Sequence, residues 1–388
     1  MERGLSISRP GLAGVIIGLF GLAVADFVIL RPNRLAPGDP LSIFEVLPVW
    51  HWVLFFIGFA LLAAICLRPS RRAASLGALL PPVMILGLLW AQGSVAAKLT
   101  AESGAFARVS IGASLWLALL GLFITFTDMI ARAGWGKSSR LGLLVIFAAG
   151  LVVLSFGGAL DQISLARELA GRGERFMDEF RDHLLITGLS VGFSCLMGVP
   201  LGILIYKRAR IRTAAFSVLN MVQTLPSLAL FGLLIAPLAF LSAKWPLLRD
   251  LGIRGIGWAP AVIALTLYAL LPIVRNTFSG FSAVDAGVID AGRGMGMGRA
   301  QMFFKVELPL AAPIILNGLR IAGVQNIGNT AVAALIGAGG FGVFIFQGLG
   351  QSAIDLILLG AVPTILLAVA CDFFFQFVIK LLSPRGIS

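Results

Sequence analysis

Apolar residues along this chain gather into runs of roughly 20, the length an α-helix needs to cross about 30 Å of hydrocarbon, and the runs lack the strict alternation of a lipid-facing barrel strand. The pattern predicts an all-α, polytopic helical membrane protein with about ten transmembrane helices. Spans are expected near residues 11–30, 50–67, 75–97, 109–130, 141–160, 183–206, 216–241, 257–275, 310–336 and 354–380. The stretch 161–182, DQISLARELAGRGERFMDEFRD, breaks the series. It is strongly polar, with Ile163, Leu165, Leu169, Phe176 and Phe180 at helical spacing, and reads as an amphipathic external linker. It divides an N-terminal block of about five transmembrane helices (1–160) from a second block (183–382). Between the last two spans, residues 337–353 are apolar but interrupted by glycine, which suggests a re-entrant or short interfacial element.

Composition agrees with the pattern: 59% of the 388 residues are hydrophobic, 12% are charged and the mean hydropathy is +0.98, which excludes an ordinary soluble domain. The net charge of +12 sits in short clusters at the ends of apolar runs rather than on one stripe, so it reads as a topology signal and not as a nucleic-acid surface. With the N-terminus inside, Arg68, Arg71, Arg72, Arg132, Lys137, Arg140 and Lys207 to Arg212 fall on the inner side. Outer basic residues are offset by nearby acids. Both termini, flanked by Arg3 and Arg385, are expected in the cytoplasm of a bacterial cell, with the chain in its cytoplasmic (inner) membrane. The first run follows Arg3 and Arg9 as a secretory signal would, yet it exceeds a usual signal core and lacks a small-x-small cleavage site, so a retained helix is expected.

Chemistry-bearing patterns are scarce. Cys66, Cys195 and Cys371 each lie inside an apolar run without metal-ligand spacing, His51 and His183 are far apart, and no catalytic cluster or metal site is expected. Asp26, Asp128 and Asp372 lie toward the ends of their spans, where a carboxylate can reach the interface. Two strings imitate nucleotide loops. ARAGWGKS (131–138) has Ala131 where a phosphate-binding loop needs its first glycine, and GAGGFG (337–342) follows a membrane helix instead of a strand. The chain is therefore expected to carry no cofactor. Any nucleotide energy must come from a partner.

The segment from Arg275 to Pro309 is far longer than a bundle connection requires. Its first half places Val284, Val288 and Ala291 near one helical face, glycines at 292, 294, 296 and 298 impose a turn, and RAQMFFKVELP reads as a second helix ended by proline. Met295 and Met297 stand at the tip, surrounded by Arg293, Arg299 and Lys305, a combination suited to a groove on another protein.

This loop resembles the coupling-loop signature of ABC-importer permeases, in which Glu-Ala-Ala is followed by Gly and then by Leu-Pro. Here the matching positions are Asp290, Ala291 and Gly292, then Gly296, then Leu308 and Pro309, with Arg293, Gly294, Met295 and Met297 between them. Asp replaces the usual Glu, and Gly the second Ala. The strings VQTLPSLALFGLL (222–234), LYALLPIVRNTFSG (267–280) and NIGNTAVAALIGAGGFG (326–342) look like the subgroup that imports glycine betaine, choline, carnitine and related osmoprotectants. The resemblance implies a type I importer permease core at 183–382, with a loop at about 276–309 held by cytoplasmic ABC ATPase subunits. It also implies a periplasmic or extracellular solute-binding protein, a second permease copy or paralogue, and a small osmolyte as cargo. The extra helices match the long form of the subgroup in outline, but no chemistry is found in 1–160.

Arg320, about ten residues into the ninth span, must face protein or water because an unpaired charge in hydrocarbon costs several kcal/mol. Gln325, Asn326, Asn329 and Thr330 follow, the last three on one face, and two readings stand: a helix lining the translocation path, or hydrogen bonding between helices. A permanent cation would be repelled by Arg320, so that residue is expected near the cytoplasmic end of the path or paired with a carboxylate. Permeases for amino acids such as methionine use a similar loop and remain an alternative. An ion-driven secondary transporter would need mid-bilayer carboxylates and internal repeats, which the sequence does not offer. A lipid-modifying enzyme would need a polar catalytic cluster, also absent from the sequence.

Overall fold

The computed structural model describes residues 6–33, 36–104 and 106–383, so Arg3 and Arg385 of the charge pattern lie outside the described residues. The chain forms two compact units, Met1–Gly171 with Gln351–Asp355, and Arg172–Gly350 with Leu356–Ser388. Among the described residues, nine helices are long and apolar enough to cross a membrane.

The first unit opens with α1 (Arg9–Val24), whose N-cap Ser8 accepts a hydrogen bond from the Gly11 amide. Here the expected span at 11–30 is corrected. The helix stops at Val24, and Val28–Arg31 instead forms β1, paired antiparallel with β2 (Asp39–Leu41) and β3 (Arg108–Ile111) in the order β2-β1-β3. β-branched Val28 and Ile29 favour the extended backbone, and a small sheet was not legible in the hydropathy pattern. The remaining helices are α2 (Ile43–Val46), α3 (Val49–Leu67), α4 (Arg71–Ser103), α5 (Ala113–Ala133), α6 (Lys137–Phe156) and α7 (Ser164–Ala170). α1 and α5 touch through backbone: a methyl at Gly14 would meet the Gly121 carbonyl, one at Gly121 would meet that of Gly14, and Thr125 Oγ1 donates to the Gly11 carbonyl at 3.2 Å. Buried Leu22, Phe59, Leu62, Leu115 and Leu122 fill the core around this crossing. Ser110 Oγ donates to Asp355 and Arg31 Nη1 to the Ser352 carbonyl, which explains why 351–355 belongs to this unit. ARAGWGKS is a helix-turn-helix corner, with Gly134 left-handed at φ 64° and α6 starting at Lys137.

The second unit begins with α8 (Gly173–Lys207), so residues 173–182 are the first turns of a long helix rather than linker. Phe176 and Phe180 of the amphipathic stripe pack on Phe341, with ring centroids 5.4 and 5.9 Å apart. The expected span at 216–241 is likewise two helices, α9 (Ala209–Thr224) and α10 (Ser227–Lys244). Pro226 forces the break: its ring drives Leu225 to an extended conformation, ψ 132°, which no helix can pass through. After α11 (Pro246–Asp250) comes α12 (Trp258–Ser282), the most enclosed helix of the unit. α13 (Ala286–Gly294) and α14 (Arg299–Met302) precede a π-helical turn at Phe303–Glu307, then α15 (Leu308–Ala333), α16 (Gly342–Gly350) and α17 (Ile354–Leu382).

α12 packs between α8 and α15 because small residues let the backbones approach. A methyl at Gly202 would strike Thr277, one at Gly318 would strike Asn276, and one at Gly280 would meet the Ala311 carbonyl. Polar groups then bind the three helices together. Asn326 Nδ2 donates to Ser190 Oγ at 2.9 Å and to the Leu265 carbonyl at 3.1 Å, Thr187 and Thr330 hydroxyls pair at 3.0 Å, and Ser194 Oγ donates to the Thr266 carbonyl at 2.9 Å. Such bonds contribute roughly 0.6–2 kcal/mol each in a bilayer. Replacing Asn326 by Leu removes two of them and is expected to lower stability by about 1–2 kcal/mol, read as an earlier unfolding midpoint of the detergent-solubilised protein. An unchanged midpoint would contradict this role.

Candidate functional site

The loop at 286–307 is folded into two short helices, the turn between them and a π turn. Asp285 caps α13 by accepting from the Gly287 amide at 2.6 Å. The helix ends in a Schellman motif: Gly296 is left-handed at φ 78°, its amide bonds the Arg293 carbonyl at 2.9 Å, and the Met297 amide bonds Gly292 at 3.1 Å. A methyl at Gly292 would meet the end of the buried Met302 side chain, which would have to shift to admit it.

Met295 stands at the apex, 72% exposed, whereas Met297 is half-buried, so only one of the two expected tip methionines is presented. Asp290 and Arg293 form an exposed pair at 3.2 Å, and Ala291, Gly294, Arg299 and Lys305 are also exposed. Phe304 adds a second open apolar surface at 65% exposure. The root is anchored by Phe303, stacked on Phe281 of α12 at 5.6 Å and lying under Lys207 at 5.1 Å, and by Leu308, packed with Phe281, Ala311 and Ile315.

Pro309 does not end the second helix, contrary to the expectation. It occupies the first turn of α15, where its missing amide is tolerated, and the π turn before it lets the Leu308 amide reach back to the Phe303 carbonyl. Loop and membrane helix are thus one continuous rod from Arg299 onward.

The polar residues of α15 divide between two surroundings. Asn326 and Thr330 are fully buried in the seam with α8 and α12, so their expected place along a path is corrected to helix bonding. They do share a face, but that face turns inward. Arg320, Gln325 and Asn329 keep partial exposure. Arg320 Nε donates to Asp372 Oδ1 at 2.5 Å, and Gln376 Nε2 donates to Asp372 Oδ2 at 2.6 Å. Asp372 is therefore paired across helices instead of reaching for the interface, a partnership that two positions 52 residues apart did not announce. A cavity of about 450 Å³ lined by Asn317, Arg320, Ile321, Val324, Gln325 and Asp372 adjoins another of about 750 Å³. The second shares Asn317 and Arg320 and extends along α17 to Lys380 and Ser383. Together they make a largely apolar groove between α15 and α17 into which Asn317, Arg320, Gln325, Asp372 and Gln376 bring polar groups. Asn317 and Gln376 were missed in the sequence; the one signal was Asp372 and Gln376 four residues apart inside an apolar run.

GAGGFG is a turn with Gly337, Gly339 and Gly340 all at positive φ. The Gly340 amide donates to Glu179 at 2.8 Å and the Phe341 amide to His183 Nδ1 at 3.3 Å, while His183 Nε2 donates to the Ile327 carbonyl at 3.0 Å. These amides face side chains of α8 and cannot cradle a phosphate. Among the described residues, no group of three His, Cys, Asp or Glu side chains is placed to hold a metal ion.

Comparison with known proteins gives two family matches. Residues 8–166 match the N-terminal domain of the ABC transporter permease YehY, and residues 197–387 match the binding-protein-dependent transport system inner membrane component. The osmoprotectant import permease protein OsmW of Salmonella typhimurium is 42% identical over 205 residues, covering 53% of this chain and 90% of the relative. The choline transport system permease protein OpuBD of Bacillus subtilis is 37% identical over 216 residues, 55% of this chain and 88% of the relative. The glycine betaine/carnitine/choline transport system permease protein OpuCD of the same organism is 37% identical over 213 residues, 55% of this chain and 86% of the relative. A chain that projects a folded loop from a polytopic helical core, and spans nine-tenths of such a relative, belongs to the binding-protein-dependent inner membrane components, the permeases of ABC importers, in a long form that carries a YehY-type domain ahead of that core.

Proposed function

We propose that this permease imports small osmoprotectants such as glycine betaine, carnitine or choline, driven by ATP that cytoplasmic partner subunits bind and hydrolyse. The names of its relatives support the substrate class. The observation that carries the mechanism is the loop itself: a capped helix, a Schellman turn and a second helix, with Met295 uncovered at the apex and the root stacked on α12 and α15. A groove on each ATPase subunit takes Met295, with Arg293 and Arg299 beside it. Closure of the ATPase pair moves the loop as a solid piece, and the unbroken rod from Arg299 passes that motion into the membrane.

An external solute-binding protein delivers cargo to the opposite face, and a second copy or paralogue of the permease completes the enclosure. The cluster of basic residues at Arg68 to Arg72, Arg132 to Arg140 and Lys207 to Arg212 supports a cytoplasmic location for the loop side and for the termini in a bacterial inner membrane. The path follows the groove between α15 and α17, lined by Arg320 and Gln325, and continues along α15 past half-buried Asn329.

Replacing 290–298 with a flexible Gly-Ser spacer is expected to abolish both uptake and copurification of the ATPase while the protein remains inserted. Retention of both would refute the coupling role. Met295→Asp places a charge in the partner's apolar groove and is expected to weaken ATPase association by about 2 kcal/mol, roughly thirtyfold, measured by titration in detergent. Cysteine scanning separates path from seam: a cysteine at Asn329 should react with aqueous thiol reagents in at least one nucleotide state, and one at Asn326 in none. The reverse order would place the path elsewhere.

A further inference from the structure

The Arg320–Asp372 pair is asymmetric in what it leaves available. Asp372 has both carboxylate oxygens engaged, one by Arg320 Nε and one by Gln376 Nε2. Among the described residues Arg320 bonds through Nε alone, and it lines a cavity together with Asn317, Val324, Gln325 and Asp372. Each side chain is 31% exposed, which leaves the guanidinium edge reachable. A guanidinium edge with parallel N–H groups matches a carboxylate in bidentate fashion. The Asp372 carboxylate, which lines the same cavity, fixes its orientation and cancels its net charge. Depth fits passage rather than a surface site: Arg320 lies roughly 18 Å along the helix from Leu308, near the middle of α15.

We propose that the open edge of Arg320 is a transient binding site for the carboxylate of a zwitterionic osmolyte, with Asp372 as the positioning residue that holds the fork and keeps the surroundings neutral toward the cargo's ammonium group. This rests on the reading of the chain as an osmoprotectant permease. It adds that cargo with a carboxylate is favoured inside the membrane path, separately from selection by the binding protein. Choline, which carries the same trimethylammonium head but a hydroxyl in place of the carboxylate, gains nothing from the fork.

The test is uptake of radiolabelled glycine betaine and choline by cells expressing the complete transporter with wild-type permease, Arg320→Gln or Arg320→Lys, with permease amount in the membrane measured by immunoblot. The binding protein is common to all, so the betaine-to-choline uptake ratio isolates the permease. Arg320→Gln is expected to lower that ratio about tenfold, the loss of a charge-assisted hydrogen bond. Arg320→Lys keeps the charge and the pairing with Asp372 but loses the fork, and should lower it about threefold. If the Gln variant does not reach the membrane, the Lys variant decides. Equal loss of both substrates, or an unchanged ratio in Arg320→Lys, overturns the proposal. A wild-type transporter that carries choline but not glycine betaine also overturns it while leaving the osmoprotectant reading intact; one that carries neither overturns that reading first.

Discussion

Inside a bilayer there is no water to satisfy a polar group, so each one must be answered by another part of the protein or stand beside a water-filled space. That requirement sorts the polar residues of α15 into two sets. Asn326 and Thr330 are buried and bonded to α8 and α12, Asn326 through its amide nitrogen and Thr330 through its hydroxyl, and they tie the three central helices into one block. Arg320, partly exposed, bonds Asp372 through Nε alone among the described residues and lines a groove. Burial in the seam marks the first set as adhesive, and exposure beside a cavity marks the second as open to water.

In the proposed coupling, the same block gives the loop something to push against. A flexible connection would absorb the motion of a partner before it reached the membrane. Here the Schellman turn at Gly296, the contact of Gly292 with Met302 and the stack of Phe303 on Phe281 leave few soft torsions between the apex and α12. The π turn at 303–307 lets a proline sit at the base of the rod without interrupting it. Glycine and proline, residues that usually loosen a chain, are used here to fix its direction.

Much of this was legible in advance. Hydropathy placed the helices, because the cost of burying charge in lipid dominates all local preferences. The loop was visible through its length and its spacing of Gly296, Leu308 and Pro309. Features that depend on one residue's backbone were not: the break at Pro226 was hidden within a continuous apolar run, and the end of α1 at Val24 was masked by the hydrophobic strand that follows it. Of the three residues expected on one face, Asn326 and Thr330 turn into the seam while Asn329 keeps partial exposure, because periodicity says which residues lie near one another on a helix and not what they meet. Likewise no local pattern could pair Arg320 with Asp372, because the partners come from different helices and meet only after folding.

Magnitudes explain why that pairing matters for cargo bearing a permanent positive charge. A lone guanidinium roughly 6 Å from the cargo's ammonium would repel it by about 3 kcal/mol at an effective dielectric constant near 20, a barrier of roughly a hundredfold. A carboxylate roughly 2 Å farther away returns about 2 kcal/mol of attraction and leaves a residue below about 1 kcal/mol. On the proposed reading, Asp372 converts Arg320 from a barrier into a neutral site with a directional donor edge. The conversion needs the two charges held together, and the bond from Gln376 to the second carboxylate oxygen restrains Asp372 from turning away. In the proposed path a cation then passes, and a group with negative charge at its other end is oriented as it does.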